Sequence, residues 1–103
     1  MDVQLKKGIL DMCVLFALSK GESYGYKIIS DLNGIIEISE STLYPILKRL
    51  ETGGYISART AEYSGRLRRY YKLTPSGLTK LQSGREDLQE IHNIYQTIFG
   101  GRV

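Results

Sequence analysis

The chain has 103 residues, 42% of them hydrophobic and 24% charged, a balance that suits one folded domain with a modest core and excludes a disordered chain. Fourteen Lys and Arg against eleven Asp and Glu leave a net charge of +3, a mild bias that admits a polyanionic partner without demanding one. The single cysteine, Cys13, excludes an internal disulfide framework, and its apolar neighbours read it as a core thiol.

No apolar run approaches the ~20 residues of a membrane span. Residues 9–18 are the richest run, but Asp11 interrupts them and no small-residue cleavage site follows, so they read as a buried helix and not a signal peptide. A cytoplasmic location is the default expectation.

The spacing predicts a first helix over residues 3–19. Leu5, Ile9, Met12 and Phe16 form its stripe, and Leu10, Val14, Leu15 and Leu18 widen that stripe to nearly all round. Lys20-Gly21 ends it. Ser23 is the expected N-cap of a short second helix over 24–32, with Ile28, Ile29 and Leu32 facing inward, and Asn33-Gly34 stops it. Residues 35–38 are too short for a helix and read as a brief strand or an extended link. A third helix emerges from the hydroxyl-rich stretch at 39–42 and runs to about residue 52 on the stripe Leu43, Ile46, Leu47 and Leu50. Pro45 removes a backbone hydrogen bond from a helix interior, which predicts a late start with Ser41 as cap.

Gly53-Gly54 breaks the chain, and two strands follow over 55–63 and 66–73, joined at Ser64-Gly65 as a hairpin. In the second strand Leu67, Arg69, Tyr71 and Leu73 share one face and Arg66, Arg68, Tyr70 and Lys72 the other. Thr74-Pro75 then starts a last helix, which runs to about residue 99 before Gly100-Gly101. Along it Leu81, Leu88 and Tyr95 recur every seven residues, with Gly84, Ile91 and Ile98 between them.

Three helices, a hairpin and a long helix are the element order of a winged helix-turn-helix with an added helix. The expected class is mainly α with a small β-hairpin: a DNA-binding unit over 1–74 and a dimerisation helix over 75–103, forming one compact body. In such a fold the third helix enters the major groove and the hairpin reaches a neighbouring groove or phosphate strand. The outward residues of the third helix are Ser41, Thr42, Tyr44, Lys48 and Arg49: hydroxyls where helix N–H groups favour phosphate, and cations that neutralise backbone or read guanine edges. Taken alone, Lys48-Arg49 could equally be a solvated face. The hairpin row shifts that balance, because like charges on one strand face repel unless an anion neutralises them.

The apolar seam of the last helix is longer than a small core can cover. A twofold mate is therefore expected, with Leu5, Ile9, Leu81, Gly84, Leu88, Ile91, Tyr95 and Ile98 at the interface. His92 has no cysteine on its helix and no second histidine to share a metal, and no serine elbow or oriented acid for catalysis, so neither a metal site nor an enzyme is expected, and no cofactor. Walker and dinucleotide glycine patterns are absent too.

The runs Leu43-Tyr44-Pro45-Ile46-Leu47-Lys48-Arg49-Leu50-Glu51 and Gly54-Tyr55-Ile56 resemble the PadR family of bacterial transcriptional regulators. So do Gly65-Arg66-Leu67-Arg68-Arg69-Tyr70-Tyr71-Lys72-Leu73-Thr74 with Gly77, and, upstream, Ser23-Tyr24-Gly25-Tyr26-Lys27-Ile28. The length is similar to the short branch, which has a single C-terminal dimerisation helix. The resemblance implies a repressor-type regulator whose homodimer reads a pseudo-palindromic double-stranded DNA operator. It places Ser41, Thr42, Tyr44, Pro45 and Lys48 of the helix and Arg66 and Arg68 of the wing near DNA, with Tyr24 and Tyr26 flanking the phosphate backbone. Two departures bear on the contact set: Leu67 stands where the family commonly has proline, and the stretch 39–42 lacks the glycine many members have there. Some relatives also bind planar or phenolic compounds between the dimer halves. Here Tyr95, Phe99 and Phe16 are the aromatic candidates, and the effector is left open. The rival reading is a winged-helix module that binds protein and has lost specific DNA binding.

Overall fold

Glycine and proline punctuation divides the chain into α1 (Val3–Ser19), α2 (Gly25–Leu32), α3 (Glu40–Thr52), β1 (Ile56–Tyr63), β2 (Arg66–Leu73) and α4 (Pro75–Phe99). These elements come from a computed structural model that describes residues 1–101. The last two positions of the expected 75–103 segment lie outside the described residues. The fold is mainly helical with one antiparallel hairpin, a winged helix-turn-helix followed by a long C-terminal helix.

The core forms where the helical stripes meet. Leu10, Val14, Leu15 and Leu18 of α1 pack with Ile28 and Leu32 of α2 and with Leu43, Ile46, Leu47 and Leu50 of α3. Ile56 and Tyr71 close it from the hairpin. The register pairs Ile56 with Leu73 and Tyr63 with Arg66, so Ile56, Ala58, Tyr71 and Leu73 share the inward face. The tip of the wing runs past the core, which leaves Leu67 exposed although it lies on that same face.

Two expected caps are elsewhere. Ser23 does not cap α2; Tyr24 holds that position without a side-chain bond. Ser23 is instead buried, and its backbone exchanges hydrogen bonds with Tyr71 at 3.0 and 2.8 Å, adding a short third edge to the hairpin. Ser39, not Ser41, caps α3: its hydroxyl accepts from the Thr42 N–H at 3.3 Å. The helix therefore starts early and carries Pro45 inside it, on its exposed side. There the missing N–H leaves a carbonyl that solvent can reach, which makes the proline tolerable. Residues 35–38 form no strand, although Ile36 and Ile38 still pack on the core. β1 begins at Ile56 and not at Tyr55.

Thr74 fixes the turn into α4. Its hydroxyl accepts from the Gly77 N–H at 3.0 Å and donates to the Gly54 carbonyl at 2.7 Å. Gly77 lies against the Tyr55 carbonyl and Gly84 beneath the Met12 side chain of α1, both in places where a Cβ would collide. α4 is thus seated by two close approaches in its first half, and its second half projects; the molecule measures 60 × 26 × 22 Å.

Candidate nucleic-acid interface

Helical geometry sets Ser41, Thr42, Tyr44, Pro45 and Lys48 on the exposed side of α3. The first turn is rich in hydroxyls: Ser39 donates to the Thr42 hydroxyl at 3.1 Å and lies 3.0 Å from the Ser41 hydroxyl. Tyr44 reaches across to α2, its hydroxyl oxygen 2.7 Å from where a Cβ on residue 25 would stand. A Cβ there would require the tyrosine ring to shift. Tyr26, 70% exposed, stands on the same side of α2.

Arg49 departs from the outward row. Its guanidinium pairs with Asp11 of α1, which is largely buried. The reason is angular: five residues at ~100° each place Arg49 well round the helix from Tyr44 and toward α1. The pair ties α3 to α1 and removes Arg49 from the surface that Tyr44 and Lys48 share.

On the hairpin, Arg66, Arg68, Tyr70 and Lys72 do share one strand face, but they are not an unbroken cationic row. Tyr24 reaches that face through the Ser23–Tyr71 bridge and meets Tyr70 edge-on at 5.8 Å. Arg68 lies between two rings, its guanidinium carbon 3.8 Å from the centre of Tyr24 and 3.7 Å from that of Tyr63. Arg59 of β1 lies over Tyr70 at 4.8 Å and forms a two-point ion pair with Glu22 at 2.6 and 2.8 Å. Hydrogen bonds from Arg59 hold the Glu22 carboxyl below its ordinary value of 4.5. On the opposite face Arg69 is held by both oxygens of Glu51 at 3.1 and 2.8 Å. Among the described residues Arg66, Lys72 and Lys48 form no ion pair.

Three acids, Asp11, Glu22 and Glu51, thus engage arginines that the local sequence leaves looking available. Tyr63 is a further site residue that its strand position alone does not single out. Its only signal is an aromatic beside a glycine turn and next to an arginine-rich strand.

Helix and wing converge. Tyr24, Tyr26, Tyr44, Tyr63, Arg66 and Arg68 line one open groove of about 460 Å³ between the start of α2, α3 and the wing tip. The groove offers aromatic faces, a tyrosine hydroxyl and a guanidinium with no carboxylate partner, chemistry suited to a polyanion with planar or apolar edges.

The expected interface residues divide along α4. Gly84 is buried within the chain against α1, whereas Leu81 is half-buried, packing on the core while lining the groove between α1 and α4. Leu88, Ile91, Tyr95 and Ile98 are exposed, with Ile94 and Phe99 beside them, as is Leu5 on α1; Ile9 is half-buried. Between α1 and α4 runs an apolar groove of about 710 Å³ lined by Ile9, Met12, Cys13, Phe16, Leu81 and Leu88, among others. Cys13 is therefore half-buried at this groove and not sealed in the core, and burial pushes its thiol up. Of the aromatic candidates only Phe16 lines the groove; Tyr95 and Phe99 pack on each other at 5.6 Å. Among the described residues no three His, Cys, Asp or Glu cluster as metal ligands, and no helix is long and apolar enough to cross a membrane.

The profile of the Transcriptional regulator PadR-like family matches residues 14–83, which hold the helix-turn-helix, the wing and the seated half of α4. A protein of Streptococcus mutans is similar at 40% identity, with a TM-score of 0.84 over 94% of this chain and 92% of that one. A PadR-like transcriptional regulator of Bacillus cereus matches at 30% identity and a TM-score of 0.81, covering 96% of this chain and 99% of its own. PadR of Bacillus subtilis, solved in complex with operator DNA, matches at 34% identity and a TM-score of 0.67 over 73% of this chain and 44% of that one. With its motifs, its fold and most of its length in agreement, the chain belongs to the PadR-like family of transcriptional regulators.

Proposed function

We propose that this protein is a sequence-specific DNA-binding repressor that occupies a pseudo-palindromic operator as a homodimer in the cytoplasm. One observation carries the reading: Tyr44 of the exposed α3 row lines the same groove as Arg66 and Arg68 of the wing, so helix and wing can engage one duplex at once. α3 lies in the major groove, with Ser41 and Thr42 on phosphate and Tyr44 and Lys48 toward the bases. Arg66 and Lys72 of the wing, and Tyr26 of α2, meet the backbone. Pro45 shapes the exposed turn between these contacts.

The dimer rests on the projecting half of α4. Leu88, Ile91, Ile94, Tyr95, Ile98 and Phe99 present an apolar face without cover in the single chain, beside a groove that a second copy would fill. Pairing there sets the two recognition helices roughly one DNA turn, ~34 Å, apart. The operator complex of the Bacillus subtilis relative supports a DNA partner. The effector stays open.

The test is fluorescence anisotropy against a duplex spanning the promoter upstream of the protein's own gene, titrated with salt. Tight, competitor-resistant binding with a steep salt dependence is expected, and Arg66→Ala should reduce the slope of log K on log salt by about 1. Weak binding, equal for promoter and mixed-sequence DNA at low salt, would favour the protein-interaction module.

A further inference from the structure

The guanidinium of Arg68 differs in kind from its neighbours on the wing. Arg66 and Lys72 extend from the same strand face with no ion pair among the described residues, whereas Arg68 is covered on both sides by rings. The cross-strand pattern explains how. Ala61 is directly opposite Arg68, and its methyl leaves room for a long side chain to lie across the strand pair. Tyr63, opposite Arg66, supplies a ring on the β1 side at the diagonal position, within the reach of long side chains. Tyr24, beside Tyr70, supplies the ring on the other side.

The two rings belong to different parts of the fold. Tyr63 is the last residue of β1, at the wing tip, and Tyr24 is the N-cap of α2, next to the glycine under Tyr44. The stack therefore runs from the wing tip through Arg68 to the start of α2, the helix that precedes α3.

We propose that Arg68 is a positioning residue for DNA binding: a pin that holds the wing tip against the start of α2, so that Arg66 meets phosphate, without itself neutralising one. The inference rests on the DNA-binding reading above. Its physical basis is a competition. Moving Arg68 onto a phosphate gives up two ring contacts, each worth about 0.5–1 kcal/mol at exposed sites, whereas Arg66 and Lys72 give up none. They take the phosphates first. The same argument assigns Tyr63 a part in recognition through its ring alone.

The test uses the full chain and a mixed-sequence 30-base-pair duplex at low salt. Arg68→Gln frees the wing tip in the unbound protein, so binding should weaken by at most about tenfold, the ceiling set by both stacks, with the salt slope unchanged. Arg68→Lys keeps the charge and can lie over one ring but cannot stack flat between two, so it should restore binding only in part. Tyr63→Phe keeps the ring and should bind as the parent does, while Tyr63→Ala should match Arg68→Gln and add little when combined with it. A slope lowered by about 1 in Arg68→Gln, or full rescue by lysine, would make Arg68 a phosphate contact and overturn the pin.

A second arm needs no DNA. Backbone order parameters at residues 64–67 should fall in Arg68→Gln while far-ultraviolet circular dichroism stays that of the folded chain; an unchanged wing tip overturns the inference by itself. Failure of the parent protein to bind any duplex would instead sink the DNA-binding reading.

Discussion

The hairpin and the last helix each carry a row whose sequence points to a partner, and in each part of that row is engaged within the chain. On the hairpin Arg59 and Arg69 hold carboxylates from elsewhere in the fold and Arg68 is stacked between rings, which leaves Arg66 and Lys72. On α4 the first seam residues, Leu81 and Gly84, are taken up by the core and by α1, and the residues from Leu88 onward stay exposed. The free surface of each row is what remains after the fold has used its share. The two rows differ in strength: a carboxylate pair at an exposed surface contributes ~0–1 kcal/mol and yields to salt, whereas the seating of α4 includes a rigid contact, Gly77 against the Tyr55 carbonyl.

The largest expected effect breaks the exposed half of the helix row. Ile91→Glu with Ile98→Glu puts charges into an apolar interface and should weaken the dimer by ~100-fold or more, while far-ultraviolet circular dichroism keeps its helical signal. Sedimentation equilibrium reads the outcome, and a dimer as tight as the parent's would move the interface elsewhere. The seated half should respond in stability. Gly77→Ala drives a methyl into the Tyr55 carbonyl and should cost about 2–3 kcal/mol. Gly84→Ala meets the flexible thioether of Met12 and gains helix propensity, so about 1 kcal/mol or less is expected. Urea titrations of the two variants that came out equal would remove the distinction between rigid and yielding contacts.

The smallest effect is on the hairpin and depends on pH. Because Arg59 holds Glu22 below its ordinary value of 4.5, the pair's contribution is complete above about that pH and is lost as pH falls through the lower folded value. Glu22→Gln should therefore lower stability slightly at neutral pH, and the difference from the parent should vanish in acid. A difference that grew on acidification would mean the pair does not form.

The element boundaries were legible because glycine, proline and hydroxyl residues mark them: α1 ends before Gly21 and α4 begins at Thr74-Pro75, as read from the sequence. What failed was decided at a distance. Ser23 has the composition of a cap, but the backbone of Tyr71, far along the chain, claims it for a bridge. Arg49 looks outward beside Lys48 until the fold brings Asp11 to it. Gly84 fits the heptad register as well as any seam residue, and only the crossing of α1 shows that it serves the fold. The hydroxyl cluster and Tyr44 were legible as surface because helical periodicity is local. That Tyr44 and Arg66 share a groove is a tertiary fact.

The hydroxyl of Tyr44 over Gly25 has a consequence for how this surface can diverge. A side chain at residue 25 needs the ring of Tyr44 to swing aside, so the two positions are coupled. A lineage or a mutagenesis library that swaps the tyrosine for a smaller residue opens position 25 to alanine or serine at no such cost. One that changes position 25 first turns the ring from its present place on the groove. Changes at 25 should therefore be felt most where the tyrosine is kept and least where it has already been lost.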